Sequence, residues 1–238
     1  MKRQILYSCV FALFATMSFA QETKSYNTGS FNAAIGSSQG SIALDYFHNW
    51  KLGKKRKLEV GVGARFTSYF GSSQYYETAP AKLTTGSSGP GALFKEVINE
   101  NIDSLLIKSA QVNALNLALD LGYRISSKLR VGFNIDVIGF SFGQSMNGTY
   151  INGSSSVQVS SKPTGFNGLG IGDNDHGSLN SLFYAQYFFN DMWAVKVGYQ
   201  YLFTEYTTST DVQQFPEAND RFRNKSGMFS VGVSRKFN

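Results

Sequence analysis

The sequence contains one cysteine, Cys9, which lies within the first twenty residues. No disulfide can therefore stabilise residues 21–238 in an oxidising compartment. Histidine is also scarce, with only His48 and His176. These shortages exclude a disulfide-bonded scaffold, and we expect neither a metal site nor a cofactor.

Long hydrophobic runs are absent after residue 20, so the sequence offers no membrane-spanning helix. Charged residues make up only 16% of the chain, whereas aromatic residues reach 15%. Such a composition is too aromatic for a disordered chain and too polar for a helical membrane protein. The formal charge of +6 comes from scattered residues, so we expect no nucleic-acid partner.

The first twenty residues have the features of a secretory signal peptide. A short basic start precedes an apolar segment, and Ser18-Phe19-Ala20 supplies small residues for cleavage after Ala20. A lipoprotein signal at Cys9 is the weaker alternative, because almost no apolar run precedes that cysteine. We expect residues 1–20 to be removed and residues 21–238 to form one large β domain.

Strict alternation of apolar and polar residues is the main pattern in this domain. Leucines occupy every second position from Leu115 to Leu121, and the alternation resumes at Leu129 after a short turn. A period of two residues is typical of β-strands with one apolar face. We predict eight strands, at residues 31–37, 41–48, 58–70, 109–124, 129–143, 177–189, 192–207 and 225–237.

The connections between these strands alternate in length. In an up-and-down meander, alternate connections lie at opposite rims, so the long loops share one rim and both termini lie at the other. This asymmetry is typical of outer-membrane barrels. The sequence therefore predicts an all-β, eight-stranded, antiparallel up-and-down transmembrane β-barrel. Its short turns are at 49–57, 125–128 and 190–191, and its long loops at 72–108, 144–175 and 208–224. The connection at 38–40 is the exception, because it is short although it lies at the rim of the long loops.

The apolar rows predict which face of the barrel meets lipid. A soluble β-sandwich or barrel also alternates and remains the alternative. Aromatic residues near the strand ends favour a membrane, where aromatic girdles form at the interface. These aromatics are Tyr46, Phe47, Trp50, Tyr69, Phe70, Phe188, Phe189, Trp193, Tyr199, Tyr201, Phe203 and Phe237.

The opposite row mixes glycines with charges of both signs, which suits a narrow lumen. Eight strands enclose only enough volume for their own side chains, so we expect a hydrogen-bonded plug in place of a channel. The predicted lumen network consists of Asp45, Glu59, Arg65, Asp120, Arg124, Arg130, Asp136 and Lys196.

Three segments resemble a known group of proteins: LNLALDLGYRISSKLRVGFNIDV, NWKLGKKRKLEVGVGARF and MFSVGVSRKFN. They are similar to small outer-membrane β-barrels of Bacteroidota-type Gram-negative bacteria and, more loosely, to the OmpA/OmpX-like eight-stranded superfamily. The resemblance implies an outer-membrane location, contact with lipid and lipopolysaccharide, and insertion by the barrel-assembly machinery. It also implies a C-terminal assembly signal, which matches Phe229, Val231, Val233 and Phe237, with Asn238 following.

Two motifs partly match known functional sites but lack features that those sites require. His176-Gly177-Ser178 resembles the His-x-Ser step of outer-membrane lipid A deacylases, but the expected downstream segment is missing. The predicted pairing brings Glu205 near Gly177 with its side chain on the other face, so we expect no catalytic residues. The Asp173-Asn174-Asp175 cluster lacks calcium-loop spacing and predicts a turn.

The remaining features concern surfaces. Pro90 and the apolar residues after it predict a short amphipathic helix within 90–102. The basic run 51–57 is most simply solvated charge, with contact to lipid phosphates as the alternative. We predict a surface scaffold that meets an external ligand or protein through loops 72–108 and 144–175. The alternatives are a small-solute pore and a lipid-modifying hydrolase.

Overall fold

The computed structural model describes residues 25–170 and 174–237, so Cys9 and the predicted cleavage after Ala20 lie outside the described residues. No helix in these two ranges is long and apolar enough to cross a membrane. The elements in chain order are β1 (Ser25–Gly36), β2 (Gln39–Leu52), β3 (Leu58–Thr78), helix α1 (Ala81–Thr85), β4 (Ser104–Arg124), β5 (Leu129–Phe142), β6 (Met146–Asn152), β7 (Ser155–Pro163), β8 (Phe166–Gly168), β9 (Leu179–Phe188), β10 (Trp193–Thr208) and β11 (Arg221–Phe237).

Eight of these strands form a closed antiparallel ring. The order around it is β1, β2, β3, β4, β5, β9, β10 and β11, and β11 pairs back onto β1 from Asn27↔Phe237 to Ile35↔Phe229. Closure leaves neither of these two strands with an unpaired backbone edge along the ring. The predicted all-β, eight-stranded, up-and-down barrel is therefore confirmed, with three further strands added to it.

The exterior of the ring is apolar and its interior is polar, the inverse of a water-soluble barrel. On β4 the odd-numbered Leu115 to Leu121 are exposed, whereas Asn116, Ala118 and Asp120 between them are buried. Three aromatics predicted to lie at the exterior strand ends instead point inward: Phe47, Tyr69 and Phe188 are buried. Their inward positions follow from strand parity, because Asp45, Arg65 and Gln186 lie on the same faces.

A second, smaller ring continues the barrel beyond the rim that carries the long loops. It runs β3, β4, β6, β7, β10, β11 and closes where Phe222 pairs with Thr78. The β1–β2 hairpin ends below it, as do β5 and β9. The predicted loop 144–175 is therefore wrong in large part, because β6, β7 and β8 lie within it. The predicted loop 72–108 is also too long, since β3 and β4 leave only residues 79–103 between them.

The predicted amphipathic helix within 90–102 is also wrong. Pro90–Phe94 forms a 3₁₀ turn that ends at Lys95 in an extended conformation, and Asn99–Asn101 forms a second such turn. Gly89, with φ of 107°, precedes the first turn. The apolar residues Phe94, Val97 and Ile98 are exposed.

Two irregularities change which side chains face inward. At Leu117/Ala118 the pairing with β5 shifts by one residue, so Val137 forms a bulge after the inward Asp136. Ile138, Phe140 and Phe142 consequently face outward. On β3, Ser73 has a positive φ of 52°, and the inward face switches from Tyr69 below it to Tyr76 above it.

Candidate functional site

The barrel interior contains two clusters of ion pairs, and the first lies near the rim that carries the termini. Glu59 Oε2 is 2.6 Å from Arg130 Nε, and Glu59 Oε1 is 3.0 Å from Arg124 Nε. The Tyr26 hydroxyl donates to the same carboxylate at 2.6 Å. Because β3, β4 and β5 supply these residues, the cluster crosses three adjacent strands and β1.

Arg130 also connects this cluster to residues of β4 and β9, the two strands that flank its own strand. Its guanidinium pairs with Asp120 and donates to the Tyr184 hydroxyl. Tyr184 in turn donates to Asp120 at 2.6 Å. The four strands β3, β4, β5 and β9 are therefore joined through the side chain of a single arginine.

The second cluster lies above the first and is centred on Arg65. Its guanidinium is 2.9 Å from Asp45 and 3.2 Å from Asp136, and it donates to the backbone carbonyl of Asn180 at 2.9 Å. Lys196 Nζ is 3.7 Å from Asp45. All four charged side chains are almost completely buried. Burying charge is costly unless it is paired, and each of these four groups lies within 4 Å of a group of opposite charge.

All eight residues of the predicted lumen network are placed inside the barrel, seven of them buried and Arg124 partly exposed. They comprise four carboxylates and four cations. Opposite charges therefore balance within the lumen, which reduces the cost of excluding water from it.

Inward glycines make room for the largest of these side chains. A Cβ added to Gly122 would overlap the Arg130 guanidinium, and one added to Gly132 would lie 2.6 Å from the Tyr184 ring. The alternation of glycine with charge in the sequence thus reflects the packing of long side chains across a narrow lumen.

The space left between these side chains is small. A cavity of about 10 Å³ lies among Tyr26, Asp120, Arg130 and Lys196. Such a volume holds about one water molecule. At this level the lumen is filled by protein.

An apolar layer lies above the ion pairs, inside the smaller ring. Its residues are buried and come from five strands: Tyr69, Tyr76, Leu105, Ile107, Val112, Tyr150, Leu202, Tyr206, Phe222 and Met228. Tyr76 and Tyr206 pack edge to face with ring centroids 5.1 Å apart. The sequence did not indicate this layer, because the parity switch at Ser73 and the paired β6–β7 hairpin are not visible in the alternation.

A third charged cluster lies on the outer side of the smaller ring. Glu205 is fully buried, and its carboxylate accepts hydrogen bonds from Arg221 at 2.8 Å and from Arg223 at 2.8 Å. Burial alone would raise the pKa of Glu205, but the two guanidinium groups outweigh it and lower that pKa below its ordinary value. Both arginines also donate to the backbone carbonyl of Asp175, so the cluster fixes the loop before β9.

The residues of the His-x-Ser motif are not arranged as a nucleophile and its base. Ser178 is buried, and its hydroxyl accepts a hydrogen bond from the backbone N–H of Glu205 at 3.2 Å. His176 Nδ1 lies 3.0 Å from the carbonyl of Phe166. The Glu205 carboxylate is held by two arginines. These contacts fix backbone segments and assemble no catalytic triad.

The remaining predicted features are placed as follows. Asp173 lies outside the described residues, and Asp175 Oδ1 accepts from the backbone N–H of Gly170 at 2.7 Å. Residues 25–170 and 174–237 contain no group of three His, Cys, Asp or Glu side chains positioned for a metal ion. His48 lies 2.8 Å from the Asn27 side chain and packs against Trp50. The predicted C-terminal signal residues all face outward on β11: Phe229, Val231, Val233 and Phe237.

Comparison with known proteins gave no match to a protein-family model and none to a curated protein. Solved structures similar to the chain include small outer-membrane barrels. Neisserial surface protein A is 11% identical, with a TM-score of 0.38, covering 91% of this chain and 100% of its own. The Yersinia pestis outer-membrane protein Ail is 11% identical, with a TM-score of 0.39, covering 90% and 100%. A major outer-membrane protein of Thermus thermophilus is 12% identical, with a TM-score of 0.35, covering 90% and 99%.

Proposed function

We propose that the chain is an outer-membrane β-barrel protein that acts as a surface scaffold and conducts no solute. The proposal rests on two continuous closed rings. The eight-stranded ring has an apolar exterior, and the smaller ring continues the barrel beyond the rim that carries the long loops. Seven residues of β3, from 72 to 78, continue past the eight-stranded ring, which adds roughly 23 Å along the strand. This length presents loop 79–103 and the β6–β7 hairpin tip on a rigid support.

The membrane location is supported by the exterior of the eight-stranded ring. Most of its outward residues are Leu, Ile, Val and Phe, and exposing such a surface to water would be costly. The strands of the ring are 10 to 21 residues long, enough for the tilted spans of about 9–11 residues that cross a bilayer. We further propose cleavage after Ala20, a Bacteroidota-type origin, contact with lipopolysaccharide and insertion by the barrel-assembly machinery.

The pore and hydrolase alternatives receive no support from the lumen or from the His-x-Ser motif. Two ion-pair clusters and one apolar layer lie in series along the lumen axis, so a solute would have to displace all three. A lipid-modifying hydrolase would need Ser178 accessible and activated, but this side chain is buried and hydrogen-bonded to backbone. We therefore propose a non-enzymatic role.

The test combines conductance with binding. The purified barrel in planar bilayers should give no stepwise current, and a stable conductance would contradict the sealed lumen. The same protein, carrying a Gly-Ser replacement of residues 88–98, should lose binding to lipopolysaccharide or envelope polysaccharide that the intact chain retains. A matched control replaces the β2–β3 turn at the opposite rim. If binding survives replacement of 88–98 and of the 152–155 hairpin tip, the scaffold hypothesis loses its support.

A further inference from the structure

The rim that carries both termini is unusually basic. Over the described residues, eight lysines and arginines lie on its turns and strand ends besides Arg124, which pairs with Glu59 in the lumen, and one exposed acid, Asp191, lies among them. The basic residues are Lys51, Lys54, Lys55, Arg56, Lys57, Lys128, Arg235 and Lys236, which we call the basic rim. The opposite end of the molecule has no such excess, because acids outnumber bases in its loops.

Several of these cations lie over aromatic rings of the same rim. Arg235 stands 5.4 Å from the ring centre of Trp193 and 5.2 Å from that of Phe237. The ammonium groups of Lys51 and Lys236 lie 5.5 and 5.2 Å from the Tyr26 ring. The arrangement joins β1, β2, β10 and β11, so it surrounds the seam where the barrel closes.

The position of these aromatic rings along the barrel axis determines which part of a lipid the cations contact. Tryptophan and tyrosine rings favour the membrane–water interface, with their apolar part toward the acyl chains. Trp193 lies on the outer face, so Arg235, which is held against it, lies at the level of the lipid phosphates, whereas the Tyr26 ring is buried in the lumen mouth and hydrogen-bonded to Glu59. A run of five basic residues in the 51–57 turn extends the same charge around the rim.

We propose that the basic rim is a docking surface for acidic phospholipids of the leaflet that faces the termini. This inference rests on the proposed membrane location and adds a lipid preference to it. Each cation near an anionic headgroup would add about fivefold to the association of that lipid. The occupant is a phospholipid because Trp193 and Phe237, which lie against Arg235, offer an apolar surface that a free phosphate ion cannot use.

The two tryptophans of the chain, Trp50 and Trp193, provide the readout, since both lie at this rim. The barrel would be reconstituted in phosphatidylcholine vesicles that contain brominated phosphatidylglycerol or, in equal amount, brominated phosphatidylcholine. Bromine quenches a nearby tryptophan, so the ratio of quenching measures lipid preference at the rim. We expect at least a fivefold preference for phosphatidylglycerol in the unmodified chain.

The variants locate that preference on the protein. Replacing Lys54, Lys55 and Arg56 by glutamine should lower the ratio several-fold, while the five remaining cations of the basic rim keep it above one. Replacing the three exposed lysines of the opposite end, Lys95, Lys108 and Lys162, should leave it unchanged. Equal effects of the two triple variants would overturn the proposal. It would also be overturned if inorganic phosphate abolished the lipid preference while sodium chloride of equal ionic strength did not.

The outcomes separate this inference from the proposed function. If both brominated lipids quench equally in the unmodified chain, the lipid preference is refuted and the membrane location stands. If neither lipid quenches either tryptophan, the barrel does not lie in the bilayer and the proposed function fails with it.

Discussion

Replacing Arg65 by methionine tests the balance of charge inside the lumen. The side chain is 1% exposed and pairs with Asp45 and Asp136 at 2.9 and 3.2 Å. Without it, Lys196 still lies 3.7 Å from Asp45, but Asp136 depends on the neutral donors Asn116 and Asn180. Removing one partner of a buried ion pair costs about 3–5 kcal/mol, because the remaining charge stays buried.

The assay is urea unfolding in phosphatidylcholine vesicles, followed by tryptophan fluorescence. We expect Arg65→Met to lower the free energy of unfolding by about 3–5 kcal/mol. Adding Asp136→Asn should recover part of that loss, with a coupling energy of about 1–3 kcal/mol. The control Lys55→Met, in an exposed turn, should change it by no more than about 0.5 kcal/mol. A loss below about 1 kcal/mol for Arg65→Met, as at an exposed ion pair, would refute the argument.

Three further predictions concern packing, pH and assembly. Gly122→Ala should cost about 1–3 kcal/mol in the same assay, because its Cβ overlaps Arg130, whereas Gly165→Ala has open space and should be neutral. The lowered pKa of Glu205 means that this group stabilises the smaller ring fully above its ordinary pKa of 4.5 and loses that contribution as the pH falls through the folded value. The protection factors of β10 and β11, which correct for slower intrinsic exchange in acid, should therefore fall below about pH 4.5, Glu205→Gln should abolish the dependence, and greater protection in acid would contradict it. Phe237→Ala should reduce the folded fraction of the protein in cells, measured as the band whose gel mobility shifts on heating. Normal assembly of this variant would show that Phe237 is not part of the C-terminal assembly signal.

Alternation predicted the eight-stranded ring because each of its strands has one face toward polar partners and one toward an apolar surface. The row from Leu115 to Leu121 and the turn at 125–128 follow that rule with little irregularity, and the structure matches them closely. The lumen residues followed from the same parity, since a charged residue between two outward leucines has only the interior to occupy.

The smaller ring could not be predicted in this way. Its strand β7 contains four serines, β6 contains a glycine and two asparagines, and both have a mostly exposed outer face, so their alternation is weak. The switch of face at Ser73 depends on a positive φ. Serine rarely adopts such a φ, and the sequence around Ser73 does not indicate it. The predicted helix failed for a related reason. Its apolar residues Phe94, Val97 and Ile98 have the spacing of a helix but no surface to pack against, and most helical stability comes from such packing.

The most direct test of the account is the environment of the outward leucines. Because residues 21–238 contain no cysteine, a single spin label can be attached in turn at Leu115, Leu117, Leu119, Leu121 and, as a water-exposed control, Phe94. In bilayers the four leucine sites should be accessible to oxygen and protected from a water-soluble nickel chelate, with the largest contrast in the middle of β4. The label at position 94 should show the reverse. Leucine sites that admit the nickel chelate, or that are shielded from both reagents as in a protein core, would contradict a barrel whose apolar face meets lipid.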